Sequence, residues 1–413
     1  MPATSLTATR RKFLVQSTGL LALPNLLEAS GAPNASGAPD ASGAASVSAV
    51  APPDPTGQAM PELMRPLPEP PAARIGFAIV GLGAYALNQI IPNIANTRYA
   101  RLAALVSGNP EKAARVGKAY GIGADHLYSY ETFDRLADDP TVDVVYIILP
   151  NAYHRAWTER AFAAGKHVLC EKPMAVTATD CEAMIDAGRR AGKKLMIGYR
   201  AQHDPYNLRA IELVRGKEAS IGTPNLVFTE HGRMLKPEEE LRDRWRAKKD
   251  LAGGGSLYDI GIYSVNGVRY LLGEEPVAVT ATYAPPSGKD GVEVEEGVAW
   301  TMTFPSGAVA NCSSSYRISQ AKRIFVHGTE GEVSLLPATD YYVRNLTLHT
   351  AERKSELLLA PTNQFADMLD EMCAAVREDR EPRTPGEEGL RDVRILEAIY
   401  RAADTGTEVA LGD

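Results

Sequence analysis

Between residues 75 and 198 the chain alternates short apolar runs with amphipathic stretches. Residues 75–80, 102–106, 142–149, 167–170 and 194–198 are brief, largely apolar runs, the pattern of strands buried on both faces of a parallel sheet. Residues 111–120, 157–164 and 179–191 instead place apolar side chains at helical spacing, with Pro110 suited to a first helical turn. This alternation predicts a doubly wound α/β domain of the Rossmann type, with a nucleotide crevice at its strand C-termini. The pattern then changes. Residues 227–231, 277–283, 297–304, 308–316, 323–328 and 331–335 are β-branched or aromatic runs between turn residues, and predict a large open, mostly antiparallel sheet. One helix start interrupts them at Gly253-Gly254-Gly255-Ser256-Leu257-Tyr258-Asp259-Ile260-Gly261-Ile262-Tyr263. Residues 363–377 and 387–403 read as amphipathic helices that pack back on the first domain.

Upstream of residue 74 neither period appears. Thr9-Arg10-Arg11-Lys12-Phe13-Leu14 precedes Leu20-Leu21-Ala22-Leu23-Pro24, a run too short and interrupted to span a bilayer. Residues 1–30 read as a twin-arginine export signal, the competing reading being a disordered basic tail. Residues 31–59, rich in Ala, Ser, Gly and Pro, cannot bury enough apolar surface to fold and read as a linker. Residues 60–73 mix prolines with Leu and Met, which fits more linker or an extended arm lying over a neighbouring subunit or a cofactor. The expected division is therefore signal 1–30, linker 31–59, arm 60–73, nucleotide domain 74–198 and second domain 199–413.

Composition narrows the class. Hydrophobic residues at 45% and charged residues at 23% describe a soluble globular protein, and a net charge of −7 without a basic segment argues against nucleic acid. Cys170, Cys181, Cys312 and Cys373 have no C-x-x-C spacing and no histidine cluster beside them, which argues against a metal site. Cys170 reads as a buried strand residue.

The first strand runs into Gly81-Leu82-Gly83-Ala84-Tyr85-Ala86. In a G-x-G-x-x-A turn, Gly81 permits the tight bend, Gly83 lets backbone N–H groups approach a pyrophosphate, and Ala86 allows close helix packing. A plain strand-to-helix turn is the alternative. The second strand ends in Ser107-Gly108-Asn109, with Lys112 nearby, where an NAD-binding chain carries an acid for the ribose hydroxyl. Without that acid a 2′-phosphate is welcome, so NADP is expected. Lys172 ends a strand beside the crevice, and Asp259 and Tyr263 lie four apart on one helix face. A lysine and a tyrosine oriented by an acid can move a proton to or from a sugar hydroxyl while hydride passes to nicotinamide. The same spacing also fits a salt-bridged Asp259 with Tyr263 packed on the sheet. His154, His203 and His231 are candidate bases or sugar contacts, His154 the best placed, although a single histidine is more often a structural hydrogen-bonder.

Taken together, Gly81-Leu82-Gly83, Glu171-Lys172-Pro173, Gly198-Tyr199-Arg200 and Asp259-Ile260-Gly261-Ile262-Tyr263 resemble the glucose–fructose oxidoreductase/inositol dehydrogenase superfamily. Ala84 to Gln89, Ser107-Gly108-Asn109 and Gly253 to Ser256 narrow the resemblance to its glucose–fructose and aldose–aldose oxidoreductase branch. The resemblance implies a non-dissociating NADP, reduced by an aldose that leaves as its lactone and reoxidised by a second sugar that leaves as an alditol such as sorbitol. It implies catalytic roles for Lys172, Asp259 and Tyr263, with Tyr263 moving the proton. Gly81, Leu82, Gly83, Ala84 and Tyr85 would hold the pyrophosphate, and Ser107, Gly108 and Lys112 the 2′-phosphate. Leu149, Pro150, Asn151, His154, Glu171, Lys172 and Arg200 would line the nicotinamide half, with Trp245 and Arg246 also reaching the cofactor. Implied partners are small sugars, further copies of the chain in a homo-oligomer and the export machinery, with no stable membrane insertion and a periplasmic location. The segments Ala201-Gln202-His203-Asp204 and Glu230-His231-Gly232-Arg233 depart from the family and would face the sugar. The competing readings are an aldose 1-dehydrogenase that exchanges its NADP, and a non-catalytic sugar or nucleotide sensor.

Overall fold

Two sheets, laid out in chain order, set up the site. The computed structural model describes residues 69–70, 73–236, 244–288, 290–360 and 363–412. The signal, the linker and nearly all of the arm therefore lie outside the described residues. What is described of the arm's end is held by Arg74, Arg377 and the backbone of Arg98, all bonded to Glu69.

The first sheet contains β1 (Ile75–Val80), β2 (Ala100–Val106), β3 (Leu127–Tyr128), β4 (Val144–Ile147), β5 (His167–Cys170) and β6 (Leu195–Ile197). All five pairings are parallel, in the order β3-β2-β1-β4-β5-β6, so the chain reverses direction at β1 and β4. This is the expected Rossmann arrangement, and a ligand crevice opens at such a switch point, at the carboxyl ends of the strands. Strand alternation sorts the core into two. Phe77 and Ile79 face one layer with Ile90, Ile91 and Val116, while Ala78 and Val80 face the other with Phe162, Met184 and Ile185. The short β3 follows a turn at Ala124–His126 and escapes a period-based reading because two residues show no period.

The second sheet contains β7 (Pro224–Met234), β8 (Ala278–Tyr283), β9 (Gly297–Thr303), β10 (Val309–Ser315), β11 (Arg317–Gly328), β12 (Gly331–Leu335), β13 (Leu346–Thr350), β14 (Lys354–Leu357) and β15 (Val409–Ala410). Its order is β14-β13-β12-β11-β7-β10-β9-β8-β15. Every pairing is antiparallel except β7 with β10. One face of this sheet is covered by the helix Ile262–Leu272, whose Ile262, Val265 and Val268 meet Val227, Ala310 and Ile324 in a shared core.

The two C-terminal helices return to the first sheet. Gln364–Arg377 buries Phe365, Met368, Leu369, Met372 and Cys373 against Phe77, Leu105, Val144 and Tyr146. At about 1.5–3 kcal/mol for each large apolar side chain withdrawn from water, this face is a major part of the first sheet's core. Gly386–Thr405 is tied to the helix Ala178–Ala191 by Arg394–Glu182 and Arg189–Glu387 ion pairs. All four cysteines are buried free thiols. Among the described residues no helix is long and apolar enough to cross a membrane.

Candidate active site

The glycine turn follows β1 as expected. Gly81 has φ 92°, and a Cβ there would stand 2.3 Å from the carbonyl oxygen of Ile148, so both backbone and space require glycine. Gly83 is exposed, and a Cβ on it would meet nothing within 4 Å. The turn thus has one packed glycine and one open to a ligand. Ala84 is also exposed, whereas the Leu82 side chain is buried in the core, so only the backbone of Leu82 is available to a phosphate. Behind the turn the chain forms a π-helical turn, Ala86–Ile90, and then Ile91–Ile94.

Beyond β2, the Ser107 hydroxyl accepts the Asn109 N–H at 3.1 Å, and Asn109 caps the helix Pro110–Tyr120 by accepting the Lys112 N–H at 2.8 Å. The capped turn swings the Lys112 ammonium back to the Leu82 carbonyl, 3.4 Å away. Two segments separated by thirty residues of chain therefore converge on one cationic corner. Gly108 lies flat against Tyr130, where a Cβ would approach the ring to 2.9 Å.

The opposite wall is built where β5 and β6 end. Glu171 is buried and accepts the Tyr146 hydroxyl, and burial pushes its carboxyl up while Tyr146 and Lys172 pull it back. Lys172 follows it and donates to the backbone carbonyl of Asp259 at 2.6 Å, with its ammonium 4.6 Å from the centre of the Tyr263 ring. Arg200, 3% exposed, donates to the Tyr263 hydroxyl at 3.2 Å and lies 4.6 Å from the Tyr341 ring centre. His231 stacks on Tyr263 with centroids 5.7 Å apart. Burial alone would push the Tyr263 phenol up. The Arg200 guanidinium and then the Lys172 ammonium outweigh it, and hold the phenol below its ordinary value of 10.0. This corner connects to the glycine turn through aromatic contacts: Tyr341 and Phe365 both pack on Tyr85.

Asp259 corrects one expectation. Its carboxylate does not reach Lys172 or Tyr263 through a hydrogen bond; it is clamped by Arg233 at 3.0 Å and Arg246 at 3.1 Å. Burial opposes ionisation there, but Arg246 and Arg233 overcome it and hold the carboxyl far below the usual range. The salt-bridged alternative is the one observed for Asp259, while Tyr263 lies between Lys172 and Arg200. The four-residue spacing misleads because it carries no sign of the two arginines that face Asp259, one from β7 and one from the turn Trp245–Ala247. Asp259 still positions the site, since its carbonyl holds Lys172. Arg246 also stacks on Trp245 at 4.3 Å, so this pair braces Asp259 from the turn Trp245–Ala247.

The histidines take the structural alternative. His154 is fully buried with its ring nitrogens 2.9 Å from the Leu149 and Pro173 carbonyls, and burial lowers its pKa. It ties the ends of β4 and β5 together and has no nitrogen facing a ligand. His203 and His231 are buried, and burial lowers each to about 3. Asn151 likewise spends its amide on the Ala252 carbonyl at 2.8 Å, and Leu149 and Pro150 are half-buried beside it. The segment 201–204 is buried within the protein. Gln202 bonds Asn266 and Glu388, and Asp204 caps Pro205–Arg215 while pairing with Arg344. Glu230 lies on the outer sheet face with Arg323, one residue out of phase with the inward His231.

Several residues of this corner carry no signal in the sequence. Gln364 accepts from Arg200 at 2.6 Å, the Thr339 carbonyl accepts from it at 2.7 Å, and Tyr341 stacks on it. Each comes from a distant segment and belongs to no motif.

Comparison with known proteins agrees with this architecture. Residues 75–199 match the oxidoreductase family with an NAD-binding Rossmann fold, and residues 217–411 match that family's C-terminal alpha/beta domain. The D-xylose 1-dehydrogenase [NADP(+)] of Haloarcula marismortui is 34% identical over 82% of this chain and 93% of its own. The 1,5-anhydro-D-fructose reductase of Ensifer adhaerens is 32% identical over 80% and 96%. Among solved structures, aldose-aldose oxidoreductase from Caulobacter crescentus, complexed with glycerol, superposes with a TM-score of 0.78 at 48% identity, covering 82% of this chain and 100% of that one. The chain belongs to this oxidoreductase family.

Proposed function

We propose that this member of the oxidoreductase family is a sugar oxidoreductase that retains its NADP while an aldose reduces it and a second sugar reoxidises it. The observation that carries this reading is the Tyr263 hydroxyl, held by Arg200 and flanked by Lys172, beside the carboxyl ends of the strands that bear the glycine turn. The described residues fit a dinucleotide: Gly83 is open to a pyrophosphate, and the segment Ser107-Gly108-Asn109 that follows β2 carries no acid, with the Lys112 ammonium turned back to the Leu82 carbonyl. That corner favours NADP over NAD.

Bound nicotinamide would supply the carbon that accepts a hydride from C1 of the aldose. Tyr263 would take the proton of the C1 hydroxyl, so the sugar loses a hydride and a proton and leaves as its lactone. In the return half-reaction Tyr263 would give that proton to the carbonyl oxygen of the second sugar while its carbon receives the hydride, yielding an alditol. Lys172 and Arg200 favour the phenolate that takes up the proton in the first half-reaction and is restored by the second, and Asp259 fixes Lys172 through its carbonyl.

The aldose-aldose oxidoreductase at 48% identity supports this reading. The NADP-dependent xylose dehydrogenase at 34% identity favours a second one, an aldose 1-dehydrogenase that releases its nucleotide each turnover. We further propose export to the periplasm through the twin-arginine pathway, and self-association aided by the proline-rich arm. Little free nucleotide circulates outside the cytoplasm, which makes retention useful there.

The protein purified without added nucleotide tests the choice. Its absorbance in the reduced-nicotinamide band is expected to rise when glucose is added and to fall when an acceptor sugar follows. An empty protein that turns over only with added NADP would select the dehydrogenase.

A further inference from the structure

We propose that Gln364 is a positioning residue for this reaction: it locks the Arg200 guanidinium as a fixed donor to Tyr263, leaving the phenolic proton free to point at the sugar. The inference rests on the proposed role of Tyr263. Gln364 is 1% exposed and opens the helix Gln364–Arg377, next to the capping residue Asn363. Its amide nitrogen donates to the Asp340 carbonyl at 2.9 Å and the Tyr341 carbonyl at 2.8 Å. Its amide oxygen accepts from Arg200 at 2.6 Å. The orientation follows from the partners: turned over, the amide nitrogen would face a guanidinium that can only donate, and the oxygen would face two carbonyls.

Arg200 in turn has no choice of role. A guanidinium only donates, so at their 3.2 Å contact the Tyr263 oxygen is the acceptor. The phenolic hydrogen is not used in that bond and is available to a substrate oxygen. Gln364 achieves this without charge, so the guanidinium's field on Tyr263 is not neutralised. The other groups facing Tyr263 are Lys172 at 4.6 Å, the stacked His231, and Glu171, whose charge opposes the cations. His231 is lowered to about 3 and carries no charge near neutral pH. Tyr341 packs on the far face of Arg200.

Two variants test this in the full-length protein. Gln364→Met keeps the length and removes all three bonds; Gln364→Glu keeps an acceptor and places a negative charge on Arg200. Phenolate absorbance during alkaline titration, taken as the difference from Tyr263→Phe, reads Tyr263 with or without sugar. An upward shift on the order of one unit is expected in Gln364→Met, and a larger one in Gln364→Glu. The pH profile of nicotinamide reduction by aldose is expected to move with it, with the rate recovering at high pH. A rate lowered equally at every pH with the titration unmoved would overturn the proposal, as would no change in either. Should Gln364→Met not fold, Gln364→Glu gives the same reading. Undiminished turnover in Tyr263→Phe would instead remove the proton-transfer reading itself. Loss of turnover there, with wild-type titrations in both Gln364 variants, would sink only the role of Gln364.

Discussion

At the scale of single residues, charge decides which side chains can take part. Asp259 faces two arginines, so its carboxylate is a brace, and its backbone carbonyl is what touches Lys172. Its folded pKa is depressed, so it contributes stability above the unfolded value of about 3.9 and loses it only as pH falls toward the folded value. Asp259→Asn is therefore expected to lower unfolding free energy at neutral pH by about 2–3 kcal/mol. That is less than the 3–5 of a fully buried pair, because both arginines keep 25% side-chain exposure. The gap between wild type and variant should narrow below about pH 4, measured by denaturant titration across pH. A gap independent of pH would remove the ion-pair explanation. Position marks Lys172, at a strand end, and Tyr263, on a helix face, as candidates. Residue type leaves His154 open between a candidate base and a structural hydrogen-bonder, since nothing in its neighbours announces that two carbonyls face its ring.

At the scale of elements, backbone geometry rather than side-chain period sets the site. The run Gly253-Gly254-Gly255 is legible in sequence as a special turn, but its reason is three separate obstructions. A Cβ would meet Val176 at 2.8 Å from Gly253, the Tyr400 hydroxyl at 2.2 Å from Gly254, and the Glu295 carbonyl at 1.9 Å from Gly255. Glu295 also accepts the N–H groups of Gly255 and Leu257, holding the start of the π-helical turn that carries Asp259. Gly255→Ala should force that turn away from its partner and cost roughly 1–3 kcal/mol, with reduction of nicotinamide by aldose impaired more strongly than stability. Melting temperature and single-turnover rate, measured together, check this; an alanine variant with wild-type values in both would show that the turn tolerates displacement. The strands of the first sheet other than β3 are readable from their apolar runs because both faces are buried. Strands β13, β14 and β15 were not, since β14 alternates at an exposed edge and β15 is two residues long.

At the scale of the whole molecule, the sequence order of domains conceals how they share a core. The helix Gln364–Arg377 lies about 290 residues after β1, yet its Phe365, Met368 and Leu369 fill the layer beneath Phe77 and Ile79. A fragment ending before β7, residues 69–216, would expose that layer. It is expected to bind a hydrophobic dye and to lose affinity for NADP, whereas the intact chain does neither; a compact fragment that binds NADP would contradict the shared core. Sequence periodicity showed that this helix is amphipathic but not what its apolar face covers. The same helix brings Gln364 to Arg200, which is why that contact was invisible beforehand.

The account's central claim is that one retained nicotinamide carries hydride from one sugar to another, with Tyr263 moving the proton. Its most direct measurement uses an aldose deuterated at C1, an acceptor sugar, and an excess of free unlabelled NADPH. Deuterium recovered undiluted at the new carbinol carbon of the alditol is the predicted result. Deuterium diluted into the free nucleotide pool, or alditol formed without label, would contradict it.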